Sequence, residues 1–211
     1  MRVISVNVGQ PRTVTWRAQS VATSIWKHPV AGAVFVAGVN LAGDDQADRR
    51  VHGGTAKAVY AYPTEHYAYW RSQLPDAELP WGAFGENLSV EGLLETNVGV
   101  GDRYRIGSAE FVVTQPRSPC FKLGIRFGRD DMVKRFLASR RSGFYLAIAR
   151  EGQLEAGDAI HQISRDDEAI TIAQIVGIVA GDIVDPDLAR RAIANPTLPK
   201  FWKEQLSVTW R

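Results

Sequence analysis

RVISVNV, residues 2–8, sets Val3, Ser5 and Asn7 on one face and Ile4, Val6 and Val8 on the other, the two-residue period of a pleated strand. Working outward, the same reading extends to Ala33 to Val36, Lys57 to Tyr62, Asn87 to Val90, Tyr104 to Ile106, Glu110 to Thr114, Phe144 to Ala149 and Ala159 to Ile163. Glycine and proline punctuate these segments, and so many short strands predict a closed or nearly closed β-barrel. Two helices interrupt them. One follows Pro63, a good first-turn residue, and carries Tyr67 and Trp70 towards Leu74. The other starts at Asp130-Asp131, buries Val133, Phe136 and Leu137, and stops by Gly143.

The pattern changes after about Ser164. Thr171 and Gln174 have the spacing of a capping box, Ile172, Ile175, Val176 and Val179 recur at helical spacing, and Gly181 is a stop. Asp185-Pro186 reads as a cap and a first-turn proline, and Pro199 opens a third helix carrying Phe201, Trp202 and Leu206. The fold expectation is therefore mainly β with α: a β-rich domain over residues 1–165, followed by a small three-helix domain over 166–211.

Composition narrows the function classes. The chain has 211 residues, 45% hydrophobic and 23% charged, and a chain of that size buries roughly 70% of its unfolded surface. Twenty-five Lys plus Arg against 23 Asp plus Glu leave a net charge of +2, too small and too evenly spread for a nucleic-acid binder. No apolar run has the length of a signal peptide or a membrane span, so a cytoplasmic protein is expected. One cysteine, Cys120, makes no internal disulfide and holds no iron–sulfur cluster, which normally needs four.

Three loops hold an unusual share of polar residues. GDDQADRRVHGGTAK, residues 43–57, places His52, adjacent Gly53 and Gly54, and Lys57 ahead of a strand. Adjacent glycines let backbone N–H groups approach an anion and the lysine adds a point charge, although a surface turn with solvated charges explains the same residues. GAFGENL, residues 82–88, carries next to its end Asn87, whose amide can read a heterocycle edge or merely close a turn. TQPRSPCFKL, residues 114–123, sets Cys120 in a loop restricted by Pro116 and Pro119, with Arg117 and Lys122 close by. Those cations suit a thiolate acting as nucleophile, sulfur carrier or soft-metal ligand; a buried small hydrophobe is the alternative. There is no GxSxG, HExxH, GxGxxG or CxxC motif, so hydrolase, zinc-protease, Rossmann and thioredoxin readings lack support. His28, His66 and His161 read as structural.

With these loops in view, the chain resembles the MOSC family, named for the C-terminal domain of molybdenum cofactor sulfurases, and within it the YiiM-like subgroup. The resemblance is carried by SIWKHPV (24–30), GDDQADRRVHGGTAKAVYAY (43–62), FGENL (84–88), VGVGDRYRIG (98–107) and TQPRSPCFKL (114–123), in the family's order, followed by three C-terminal helices. It implies a MOSC-type β-barrel and a molybdenum cofactor, a molybdopterin, with Cys120 as the thiolate ligand to the metal. It further implies that Arg117, His52, Gly53, Gly54 and Lys57 cradle the cofactor, and that Asn87 reads the pterin or positions substrate.

The activity so implied is reduction of N-hydroxylated compounds, such as hydroxylamino base analogues, to amines. His52 is a candidate proton donor, because imidazole titrates near neutrality. The lack of iron–sulfur cysteines implies a separate flavoprotein or ferredoxin-like reductase as partner, and the helical domain suits a reductase contact, a lid or a homodimer interface. A sulfur carrier using a Cys120 persulfide and a cofactor-binding or storage module are the competing readings, and no lysine sits in a Schiff-base motif that would make sulfuration self-contained.

Overall fold

The computed structural model describes residues 1–48, 53–165 and 168–209. It is a mixed α/β fold built on one large curved sheet. Thirteen strands and six α-helices occur among the described residues: β1 (Arg2–Val8), β2 (Arg12–Trp16), β3 (Gln19–Thr23), β4 (His28–Pro29), β5 (Val34–Ala37), β6 (Asn40–Leu41), β7 (Val59–Pro63), α1 (His66–Gln73), β8 (Leu88–Glu91), β9 (Arg103–Ile106), β10 (Ala109–Pro116), α2 (Phe121–Phe127), α3 (Met132–Ser139), β11 (Phe144–Arg150), β12 (Gly152–Leu154), β13 (Ile160–Ser164), α4 (Ile172–Ala180), α5 (Pro186–Ala194) and α6 (Lys200–Thr209).

Eight strands join in the order β13-β9-β10-β11-β7-β8-β1-β4, with β12-β5-β6 and the β2-β3 hairpin as separate small sheets. Every pairing in the large sheet is antiparallel except β7 with β8, whose parallel register requires the crossover supplied by α1. The expected closed barrel is corrected to an open ladder with its ends drawn together. Its seam is one isolated bridge, Arg2 with Ala159, and three backbone bonds: Val3 N to Asp158 O, 2.9 Å, Gly157 N to Val3 O, 2.8 Å, and Ile160 N to Met1 O, 3.0 Å. Strong right-handed twist lets such a sheet curl until its first and last strands meet without a continuous ladder between them.

The β2-β3 hairpin escapes a sequence reading because its turn has no glycine or asparagine. Arg17 and Ala18 both adopt positive φ, 50° and 62°, the geometry of a tight hairpin turn. Helix α2 escapes it too. Gly124 sits in its interior, where glycine normally argues against helix, but a Cβ there would stand 2.7 Å from the Arg129 carbonyl oxygen, so packing demands the smallest residue. In α3 the buried positions are Met132, Phe136 and Ser139, and Leu137 is 52% exposed, which corrects the expectation that Leu137 is buried. Residues 132, 136 and 139 share one helical face, and Leu137 lies about a quarter-turn beyond it.

The capping box of α4 forms as expected: Gln174 N donates to Thr171 Oγ1 at 3.1 Å and Thr171 N to Gln174 Oε1 at 2.8 Å. Asp185 likewise caps α5 through Asp187 N and Leu188 N, both at 3.0 Å. Ile172, Ile175, Ile178, Ala189, Trp202 and Leu206 share one hydrophobic core with strand residues such as Val98, Tyr104 and Phe111. A second cluster, mostly aromatic, packs α1, α2 and α3 against one face of the sheet through Tyr60, Tyr62, Tyr67, Trp70, Phe84 and Phe136. Tyr60 of this cluster also lines the cleft described below. No helix among the described residues is long and apolar enough to cross a membrane.

Candidate cofactor-binding site

A cleft opens where the turn before β7, the end of β10 and the residues before β8 meet. It brings together Lys57, Asn87, Arg117, Cys120 and Lys122, all singled out in the sequence, and adds Lys27 and Asp44. Gly53 and Gly54 are not among the residues that line it. Gly54 instead adopts φ 94° at the cap of a short 3-10 turn, Thr55–Lys57. His52 lies outside the described residues. His28 and His161 are exposed, and His66 Nε2 lies 2.7 Å from Glu95 Oε2, away from the cleft lining.

The Lys57 turn is tied to β10. Thr114 Oγ1 and Gln115 Nε2 both donate to the Ala56 carbonyl, at 2.7 and 3.0 Å, and the Trp202 indole N–H donates to Gln115 Oε1 at 3.1 Å, which links the turn to α6. Burial lowers the Lys57 pKa from its ordinary value, and the nearby Cys120 acts against that shift.

Arg117 follows directly on β10. Its guanidinium carbon stands 4.9 Å from the centre of the Tyr60 ring and 5.1 Å from that of Phe136, and the residue is only 6% exposed. Burial opposes its charge, but Tyr60, Tyr145 and Cys120 outweigh that and hold it a cation. Gly143, whose carbonyl accepts Arg117 N at 3.4 Å, must be glycine: φ is 60°, and a Cβ would lie 2.6 Å from the Ala61 carbonyl oxygen. Glu95 braces it by accepting Gly143 N at 2.7 Å. Tyr60 and Tyr145 are phenols pushed up by burial, with Arg117 pulling the other way, so at neutral pH they are uncharged donors. Cys120, partly exposed, comes three residues after Arg117, immediately ahead of α2, with extended backbone.

The opposite wall is a closed network that sequence reasoning missed. Lys27 Nζ donates to Asp44 Oδ1 at 2.5 Å, Gly9 N donates to the same oxygen at 2.8 Å, and Asn87 Nδ2 donates to Asp44 Oδ2 at 2.9 Å. Asn87 also donates to the Asn7 carbonyl at 3.3 Å and accepts Tyr60 N on its Oδ1 at 3.1 Å. Its amide thus serves the protein at both ends. Lys27 and Asp44 stand in two of the segments that carry the family resemblance, but neither segment has a spacing that announces an ion pair.

Two buried polar atoms in the lining have no hydrogen-bond partner: Arg117 Nη1 and Ser24 Oγ. Buried polar groups are nearly always satisfied, so orphans in a cleft mark places a ligand can satisfy. A cationic cleft with two orphans and one accessible sulfur suits a ligand carrying phosphate, heterocyclic acceptors and a soft metal. Among the described residues no three metal-ligating His, Cys, Asp or Glu side chains converge.

The chain belongs to the MOSC domain family, whose model matches residues 48–161. Protein YiiM of Escherichia coli (strain K12) is 36% identical over 182 residues, covering 85% of this chain and 81% of that protein. A protein named reductase from Gibberella moniliformis is 34% identical over 184 residues, covering 86% of this chain but 33% of that longer protein. The crystal structure of YiiM from Geobacillus stearothermophilus matches with a TM-score of 0.80 at 32% identity, covering 100% of this chain and 99% of that one.

Proposed function

We propose that the protein is a molybdenum-cofactor-dependent reductase of N-hydroxylated compounds, working in the cytoplasm with electrons from a separate flavoprotein or ferredoxin-like reductase. The observation that carries this reading is the juxtaposition of Cys120, Lys57 and Arg117 in one cleft where Arg117 Nη1 and Ser24 Oγ lack partners. A family relative that bears the name reductase adds support.

In this reading Cys120 is the protein ligand to the metal, a soft sulfur for a soft-ligand site. Lys57, Lys122 and Arg117 hold the cofactor's anionic groups, and the neutral hydroxyls of Tyr60 and Tyr145 keep Arg117 in place beneath it. Reduction of a hydroxylamine to an amine takes up two electrons and two protons and releases water. When bound, the cofactor supplies the acceptor for the N-hydroxyl oxygen. The chain's share is to hold that group still, admit substrate from the open side of the cleft and supply protons, the last assigned to His52. The domain boundary near residue 165 and a contact of the helical unit with the electron donor belong to the same proposal.

The test is metal and pterin content after expression in a cofactor-competent host. We expect about one molybdenum and one pterin per chain, and a loss of at least tenfold in hydroxylaminopurine reduction on Cys120→Ser with cofactor and reductant present. Full activity of that variant would falsify the ligand assignment. A persulfide on Cys120 with no molybdenum would point instead to the sulfur carrier.

A further inference from the structure

Arg117 lines a second cavity, on the side of its loop that faces the helices. This pocket of about 230 Å³ lies between α3 and α4 and is walled chiefly by Pro119, Phe136, Leu137, Val176, Val179 and Trp202. Its lining is mostly apolar, its shape is that of a slot between helices, and the cofactor reading leaves it unused. A cavity of about 150 Å³ lined by apolar side chains takes up benzene, so this one has room for a little more than a single ring. Two charged residues border it. Arg140 is neutralised: its guanidinium donates to both Asp182 carboxylate oxygens, at 2.5 and 3.1 Å, and to the Leu137 carbonyl at 2.5 Å. Arg117 is not. No carboxylate among the described residues stands within ion-pair distance of it, it is 6% exposed, and its Nη1 has no partner. A buried guanidinium whose neighbours are ring faces, phenols and the Cys120 sulfur, with no carboxylate, favours an anion, and the unpartnered Nη1 can donate to a carboxylate.

We propose that this pocket is a binding site for a planar aromatic carboxylate of one or two fused rings, the ring system held between α3 and α4 and the carboxylate facing Arg117. The ring would lie against Phe136 and Trp202, where aromatic contact adds to simple burial. Because Arg117 and Pro119 belong to the loop that presents Cys120, occupancy of the slot bears on that loop from behind without entering the cleft. Arg117 has two edges of donors, so one guanidinium can border both cavities.

Calorimetric titration with 2-naphthoate tests the site. We expect saturable one-to-one binding, at least tenfold tighter than that of the neutral 2-naphthalenemethanol or the cationic 2-naphthylmethylamine. Val176→Trp, which fills the slot from a half-buried helix position, should weaken it at least tenfold; Leu137→Trp, at an exposed position on the opposite wall, does the same should the first variant fail to fold. Absence of saturable binding at millimolar ligand, equal binding of all three probes, or naphthoate binding untouched by a folded slot-filling variant each overturns the proposal. The outcome is separable from the cofactor reading: Val176→Trp should leave pterin content unchanged, and Lys57→Ala should leave naphthoate binding unchanged.

Discussion

The two walls of the cleft differ in how their polar groups are satisfied. On one wall Lys27, Asp44 and Asn87 answer one another and the backbone of Gly9, Asn7 and Tyr60. On the other, Arg117 lies buried with one nitrogen unanswered, and Lys57 loses some of its basicity to burial. A wall that is complete without a ligand is scaffold, whereas one that stays incomplete has chemistry left over for something else to use. The comparison assigns Asn87 to the scaffold by its bonds, even though its amide faces the cleft.

The largest effect that can break this contrast is on Asp44. Asp44→Ala strands a buried lysine charge, and removing one member of a buried ion pair costs about 3–5 kcal/mol. Lys57→Ala on the other wall should cost less, about 1 kcal/mol, because Lys57 is only half-buried whereas the Lys27–Asp44 pair is buried. Urea denaturation of both variants measures the difference, and equal losses would dissolve the distinction between the walls.

A second comparison uses Glu86, behind the satisfied wall. It accepts hydrogen bonds from Gly82 N at 2.9 Å, Phe84 N at 3.0 Å, Ser89 Oγ at 3.0 Å and the Tyr67 hydroxyl. Burial raises its pKa above the ordinary carboxylate value and those bonds act against the shift without cancelling it. A raised folded value means that its contribution to stability is full below its ordinary value, 4.5, and is lost as pH climbs through the folded one. The stability of wild type minus that of Glu86→Gln should therefore fall as pH rises above 4.5 in denaturation series from pH 4 to 8; a rise would contradict the sign. The smallest effect is expected at the exposed surface, away from the cleft lining. Arg17 Nη2 and Asp130 Oδ2 are 2.6 Å apart, but their side chains are 67% and 63% exposed, so Asp130→Ala should change stability by about 0–1 kcal/mol. That variant sets the scale against which the buried pair is judged.

Much of the scaffold is legible in the chain. The eight alternating segments are strands, and the caps of α4 and α5 form as written, because short-range patterns of apolar spacing and capping act within a few residues. Cys120, Arg117, Lys57 and Asn87 could be nominated because proline, glycine and charge cluster around them. What was not legible depends on distant partners. The β2-β3 turn uses Arg17 and Ala18 where the signal would be glycine, α2 contains a glycine that only its packing against Arg129 explains, and Lys27 finds Asp44 across 17 residues of sequence. The satisfied wall was invisible for the same reason: its meaning lies in who bonds whom, and the residue types alone do not say.

The seam of the sheet carries a kinetic consequence. Val3 meets Asp158, and Met1 meets Ile160, across nearly the whole β-rich part of the chain. Contacts of such separation close the longest loop available and bring little gain until β9, β10, β11, β7 and β8 stand in order between them. The seam should therefore be among the last parts to form and should place this chain among slow folders. Until it closes, β13 and the start of β1, which β4 leaves uncovered, offer bare edges to neighbouring molecules, so yield on refolding should depend on protein concentration more than on the final stability of the fold.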